Sequence, residues 1–182
     1  MKAENVYNTT DPQKLLELKR LEADALLDVL RTINHEGMTI RNLCLIVRNT
    51  LRAQLGVRKL VIFLLEEDVW VEGARLGFKP FEEESVEEMV EFSKITPVDP
   101  ISMPLLHQKK VEYVIPINHY GEMVAFIAIA DFADSPVEAE NDLIFIETIG
   151  NILAVAIQNR NLIKEKVAQE FLTKELEVAS KI

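Results

Sequence analysis

The segment YVIPINHYGEMVAFIAIADF, residues 113–132, carries the pattern that decides the fold. Val111, Tyr113, Ile115 and Ile117 alternate with other residues, which predicts that they share one face of a β-strand. The stretch MVAFIAIADF that follows is almost continuously apolar, and the polar turn NHYG separates it from the first run. Two apolar runs joined by a short turn with a glycine predict a β-hairpin.

A second pair of strands is predicted before this hairpin. Residues 57–65, VRKLVIFLL, are apolar and β-branched on both faces, which indicates a central strand. An acidic turn leads into VWVEGARLGF, which pairs back on that strand. A short helix is expected over residues 83–93, because the acidic residues at its start suit the positive end of a helix dipole. The prolines of ITPVDPISMPLL then predict an irregular crossing loop with room for one short strand.

Helices are predicted at both ends of the chain. Asp11 and Pro12 begin a first helix that runs to about Ile33, and Thr39 caps a second helix that Gly56 ends. From residue 135 to residue 182 the period is helical without interruption, which predicts a helix of about 45 residues. The expected fold class is α+β: a central antiparallel β-sheet with the N- and C-terminal helices packed on one face.

Two segments resemble a known family. The hairpin of residues 113–132 and the segment DLIFIETIGNILAVAIQNRNL, with Ala156, Ile157, Asn159 and Leu162 at its closing positions, are similar to GAF domains. The resemblance covers residues 30–162 and implies a GAF-like sensor domain there, with a signalling and dimerisation helix over residues 1–29.

The last eleven residues, LTKELEVASKI, carry a second resemblance. They are similar to the connector that joins a sensor to a PPM-type serine phosphatase in bacterial regulators, and Glu175, Leu176, Glu177, Ala179 and Ile182 match it. This resemblance implies that residues 163–182 are a linker to an output domain. A generic helical linker fits the same residues about as well.

Composition argues against several partners and sites. Thirty acidic and twenty basic residues give a net charge of -10, which disfavours nucleic acid and acidic membranes as ligands. The start of the sequence has no apolar signal core, so a cytoplasmic protein is expected. Cys44 is the single cysteine, which excludes an internal disulfide and multi-cysteine metal sites.

No catalytic or metal site is predicted, and the cofactor is unknown. The cyclic-nucleotide signature of GAF domains is missing, and Cys44 lies among apolar residues of the second helix, unlike a cysteine that carries a bilin. His35, His107 and His119 lack a second ligand at metal-binding spacing, although haem ligation by His107 stays open. The acidic run from Glu82 has helical spacing and indicates a solvated helix face.

A ligand pocket, if there is one, is expected between the sheet and the loop of residues 95–110, opposite the helical layer. The candidate lining residues are Met103, Leu106, His107 and Tyr113. Their mostly apolar character suits an aromatic small molecule or a core without a ligand.

Beyond Leu162 the last helix keeps apolar rows that include Val167, Phe171, Leu172, Val178 and Ala179. Parallel pairing with the same helix of a second chain would remove these rows from water, and the first helix would join the bundle. The alternative is that this end folds back on its own domain.

The function predicted from these features is a non-catalytic sensor that binds a small molecule or a partner and acts as a homodimer. Two alternatives remain: a small-substrate enzyme with catalytic groups in the 95–110 loop, and a dimerisation scaffold without a ligand.

Overall fold

The computed structural model describes residues 39–132 and 136–179, together with helical positions 16, 20, 23, 24 and 27, and it describes the side chains of the last helix from 139 to 176. The predicted first helix and residues 180–182 otherwise lie outside the described part. The elements are α1 Ile40–Leu55, β1 Lys59–Glu66, β2 Val69–Leu76, α2 Glu83–Val90, β3 Thr96–Pro97, α3 Pro104–Gln108, β4 Tyr113–His119, β5 Glu122–Ala130 and α4 Pro136–Ala179.

The five strands form one antiparallel sheet in the order β2-β1-β5-β4-β3. The apolar strands β1 and β5 lie in the middle, which confirms the predicted central position of β1. Both hairpins turn through two residues with positive φ, Glu67 and Asp68 in one and Tyr120 and Gly121 in the other. Positive φ at both central residues matches the right-handed twist of the flanking strands.

Local signals set the ends of α1. The hydroxyl oxygen of Thr39 accepts a hydrogen bond from the Asn42 backbone N–H, so this side chain caps the helix as predicted. Gly56 adopts a left-handed conformation with φ 66°, where a residue without Cβ suffers no strain, and the helix ends there.

The helices α1 and α4 pack on one face of the sheet. Their core is almost entirely aliphatic, and Val47, Leu51, Ile62, Ile127 and Ile149 are all fully buried in it. The elements α2 and α3 cover the opposite face. This arrangement confirms an α+β fold with a central antiparallel sheet and the terminal helices α1 and α4 on one side.

Helix α4 continues without a break through Gly150. A Cβ atom at this glycine would meet the Ile117 side chain of β4 at 3.0 Å, so the missing side chain allows the helix to lie close to the sheet. None of the described helices combines the length and apolar character that crossing a bilayer requires.

Candidate functional site

The face of the sheet beneath α2 and α3 carries a core of aromatic and methionine side chains, here called the loop-side core. The Phe63 and Phe126 rings stack with centroids 5.1 Å apart, and Trp70 lies 5.0 Å from Phe126. Met89 and Met103 are buried against them. Since this core fills the region predicted for a pocket, a ligand there would have to displace side chains.

The structure brings together two of the four predicted pocket residues and places the other two elsewhere. Met103 and Leu106 are buried in the loop-side core, whereas His107 is exposed on α3. Tyr113 faces the helical side of the sheet and its ring contacts that of Phe132, with centroids 5.8 Å apart. The reason is strand alternation: the next residue, Val114, is the one that faces the loop-side core.

A surface cavity of about 440 Å³ lies between α2 and α3. The described residues that line it are Glu82, Glu84, Ser85, Leu105, Gln108 and Lys109. Lys109 forms an ion pair with Glu82, donates a hydrogen bond to the Pro80 carbonyl at 3.0 Å and sits 5.1 Å from the centre of the Phe81 ring. The hydrogen bond from Lys109 is the main cause of a lowered pKa for the Glu82 carboxyl.

Glu88 of α2 holds the start of α3. Its two carboxylate oxygens accept hydrogen bonds from the backbone N–H groups of Leu105, at 3.2 Å, and Leu106, at 3.0 Å. These N–H groups belong to the first turn of a helix, where they have no partner within the helix itself. Two sets of contacts therefore join these helices: Glu88 of α2 binds the start of α3, and Lys109 at the end of α3 binds Glu82 at the start of α2.

A second cavity of about 260 Å³ lies where α4 leaves the domain. Its described lining comes from the start of α1, the β1–β2 hairpin and α4, and consists of Ile40, Leu64, Leu65, Glu66, Glu67, Ile157, Asn161, Lys164 and Glu165. A molecule bound there would contact all three parts of the fold at once.

The structure assembles no metal site within its described residues: no group of three or more His, Cys, Asp or Glu side chains could hold an ion there. Cys44 is buried, and burial, with a smaller contribution from the charge of Glu66, raises its pKa to about 12. This thiol therefore stays protonated at neutral pH and is a poor nucleophile.

The part of α4 predicted for signalling extends into solvent. Val167, Phe171 and Leu172 expose 60%, 63% and 58% of their surface. Val178 and Ala179 belong to the same helix, but their side chains lie outside the described part. The described side chains of this end are not folded back on their own domain.

No protein-family model and no curated protein sequence matches the chain. Solved structures do match it. The GAF domain of A. aeolicus nlh2 in an inactive state superposes with a TM-score of 0.59 at 18% identity, over 79% of this chain and 99% of that one. The chain has the GAF fold.

Two further solved structures match the chain. The GAF domain from Acinetobacter phosphoenolpyruvate-protein phosphotransferase matches with a TM-score of 0.55 at 13% identity, over 79% of this chain and 96% of that one. PelD from Pseudomonas aeruginosa PAO1, in complex with c-di-GMP, matches with a TM-score of 0.53 at 16% identity, over 73% of this chain and 48% of that one. At these identities the likeness establishes the fold.

Sequence reasoning missed the contacts that join α2 to α3. Lys109 pairs with Glu82 across 27 positions, and Glu88 caps residues 17 and 18 positions away. Local residue spacing does not predict such contacts, because each contact depends on how the loop crosses the sheet. The one available signal was the run PLLH, because proline suits the first turn of a helix.

Proposed function

We propose that this GAF-fold chain is a non-catalytic sensor module that passes the binding of a small molecule or partner along a dimeric C-terminal helix to an output domain. Residues 1–29 would act as a signalling and dimerisation helix, 30–162 as the sensor and 163–182 as the linker. The output domain proposed from the resemblance of the last residues is a PPM-type serine phosphatase, and the compartment is the cytoplasm.

The observation that carries this proposal is the continuity of α4. Ile146, Ile149 and Leu153 are fully buried against the sheet, and the same unbroken helix then runs from Leu162 to Leu176 with exposed side chains. A rigid rod anchored in the core converts a small displacement at the sheet into rotation or sliding at its far end.

The cavity at the exit of α4 is the ligand site that fits this mechanism best. Its lining carries three carboxylates, of Glu66, Glu67 and Glu165, against the single ammonium of Lys164, around apolar side chains that include Leu64 and Ile157. Such a lining favours a small neutral or cationic molecule with an apolar part, since an anion would face repulsion from these carboxylates.

A cyclic dinucleotide of the kind bound in the PelD structure fits neither cavity well. In the cavity between α2 and α3, Lys109 is the one basic residue of the described lining, and Glu82 already neutralises it.

For the loop-side core, a flat aromatic molecule is the ligand class that fits, because it would replace aromatic and methionine contacts near Met103 and Leu106.

Sedimentation equilibrium at several concentrations tests the dimer that the proposal needs. We expect the 182-residue chain to associate, and Leu172→Gln to weaken that association about tenfold or more. Lys174→Gln is the matched control two positions away, and it should change the dissociation constant less than about twofold. A chain that stays monomeric at every concentration would remove the proposed route of transmission.

A thermal-shift screen tests the sensing part of the proposal. The compounds are small aromatic acids, amines with an apolar part, haem and cyclic mono- and dinucleotides. A ligand that binds the folded state stabilises it by mass action, by about 2.7 kcal/mol at one hundred times its dissociation constant. A dimer that none of these compounds stabilises would favour the scaffold without a ligand.

A further inference from the structure

The strand β2 forms one edge of the sheet, and the first half of its outer side is open. The register pairs Glu66 with Val69 across the two-residue turn. The pair that flanks such a turn exchanges backbone hydrogen bonds, so Val69 and Val71 direct their backbone groups towards β1. The backbone N–H and C=O groups of Trp70 and Glu72 therefore point away from the sheet. Among the described residues, no backbone group outside the strand ladder bonds to either of them.

The second half of the same edge is protected by α1. Arg48 of this helix donates a hydrogen bond to the Arg75 carbonyl at 3.4 Å. A charged side chain at a sheet edge is a common means of preventing a further strand from pairing there. Residues 69–72 have no such cover within the described part of the chain, and we call them the open edge.

Apolar side chains flank the open edge. The Trp70 ring packs on Phe126 in the loop-side core, with centroids 5.0 Å apart, so strand alternation directs Val69 and Val71 to the helical side. These two valines expose 61% and 40% of their surface. A further strand would cover both valines and pair the free backbone groups at the same time.

The turn next to the open edge is acidic. Glu66, Glu67 and Asp68 are exposed, and none of them takes part in an ion pair among the described residues. Glu72 differs, because its carboxylate forms an ion pair with Arg75 at 3.2 Å. A basic residue in an added strand would therefore meet carboxylates at the turn that lack a counter-ion.

We propose that the open edge binds an extended segment of a partner protein, which adds a sixth strand antiparallel to β2. Its apolar residues lie beside Val69 and Val71, and lysine or arginine occupies the alternate positions. In this mode of recognition main-chain hydrogen bonds supply affinity and alternate side chains supply specificity. The inference names one partner class for the proposed sensor and does not depend on its dimer or on a small-molecule ligand.

The length of the open edge selects a short segment over a second copy of this chain. Four residues span about 14 Å, at about 3.4 Å each. A stable interface between two folded proteins buries about 1,600 Å² in total. An edge this short, bounded by Arg48, offers far less, whereas an extended segment needs only the backbone pairing and a few side chains.

A bound segment would also reach α4. Glu66 and Glu67 of the acidic turn line the cavity at the exit of this helix, together with Ile157 and Lys164. A basic side chain held at the turn would therefore change the charge balance beside α4, and a sixth strand would fix the β1–β2 hairpin against it.

Hydrogen exchange of the 182-residue chain tests whether the edge is open. Without a partner, the amides of Trp70 and Glu72 should exchange at least about tenfold faster than those of Val69 and Val71, which bond to β1. Protection of Trp70 and Glu72 at low protein concentration would mean that another segment of this chain covers the edge. Protection that appears only as the concentration rises would assign the edge to a second copy. Either result overturns the proposal.

Fluorescence anisotropy with a labelled peptide, Thr-Val-Lys-Val-Lys-Val-Thr, tests the chemistry of the partner. We expect this peptide to bind the 182-residue chain with a dissociation constant below about 1 mM and to protect the Trp70 and Glu72 amides. Glutamates in place of its lysines, or N-methyl groups on all its amides, should weaken binding about tenfold or more. Equal binding of the glutamate peptide would defeat the basic partner, and equal binding of the methylated one would defeat strand addition.

Two variants locate the peptide on the chain. Val71→Lys should weaken its binding about tenfold or more, because it places a charge at the centre of the contact. Ile101→Lys, at a position 89% exposed between β3 and α3, adds the same charge elsewhere and should change binding less than about twofold. Equal effects of the two variants, or no binding by the unsubstituted chain, would overturn the inference. A dimer seen by sedimentation would leave the proposed function standing in that case, and peptide binding by a monomer would leave this inference standing alone.

Discussion

Cys44 on α1 and Gly73 on β2 lie so close that a Cβ atom at residue 73 would stand 2.8 Å from the Cys44 Sγ atom. The same Cβ would meet a methyl group of Leu64 at 3.1 Å. Gly73 thus lets α1 settle onto the edge strand of the sheet, and the small thiol of Cys44 fills the space that remains. This packing explains why a small buried residue such as cysteine, with no reactive role assigned to its thiol, occupies this position.

Gly73→Ala should destabilise the protein by about 1–3 kcal/mol, because the added methyl group overpacks this contact. Cys44→Ala removes the sulfur and should absorb much of that cost, so the double variant should be more stable than additivity predicts. Urea unfolding of the four proteins of this cycle measures the coupling. Strict additivity would show that the two side chains do not compete for the same space.

Strong local signals made much of the fold predictable from sequence. The ends of α1 follow from a Thr cap and a left-handed glycine, and β5 follows from a run too apolar to lie anywhere except the middle of the sheet. The sequence predicts an irregular crossing loop, whereas the structure forms the five-residue helix α3 within it. That helix depends on Glu88, which no local pattern connects to it.

The candidate site was harder to predict because it depends on which side of an element faces which layer. Alternation correctly grouped Tyr113, Ile115 and Ile117, and the face they share is the helical one. It wrongly included Val111, which precedes β4 and is buried in the loop-side core on the opposite face. The sequence of α4 contains several apolar rows. The burial of residues such as Ile149 shows which row faces the sheet, and therefore which row faces outward. Periodicity shows which residues share one face of a helix or strand. Only the tertiary fold shows which layer that face packs against.

Glu88→Ala should loosen α3 and lower the free energy of unfolding by about 1–3 kcal/mol, because two backbone N–H groups lose a charged acceptor. Glu87→Ala, at the exposed neighbouring position, is the control and should have little effect. Hydrogen exchange provides the local readout: the amides of Leu105 and Leu106 should exchange faster in the Glu88 variant. Unchanged protection of these two amides would contradict the capping role.

Lys109→Met should raise the pKa of Glu82 towards its ordinary value, because the hydrogen bond that lowers it is lost. A carboxyl whose pKa is lowered by folding contributes stability above the pKa of the unfolded chain, and this contribution disappears as the pH falls through the lowered value. Titration followed by NMR of the Glu82 side chain checks the shift. Lys110→Met is the control, and the same change in both variants would rule out the specific pair.

Gly150→Val should destabilise the protein by about 1–3 kcal/mol, although valine is a better helix former than glycine. The reason is the contact with Ile117: its Cγ1 and Cδ1 atoms lie 3.0 and 3.2 Å from where a Cβ would stand, and the buried side chain has little room to move. Glu147→Val, exposed on the same helix, should cost less than about 0.7 kcal/mol. Denaturant unfolding compares the two variants, and equal losses would mean that helix propensity decides and that α4 does not depend on its close approach to β4.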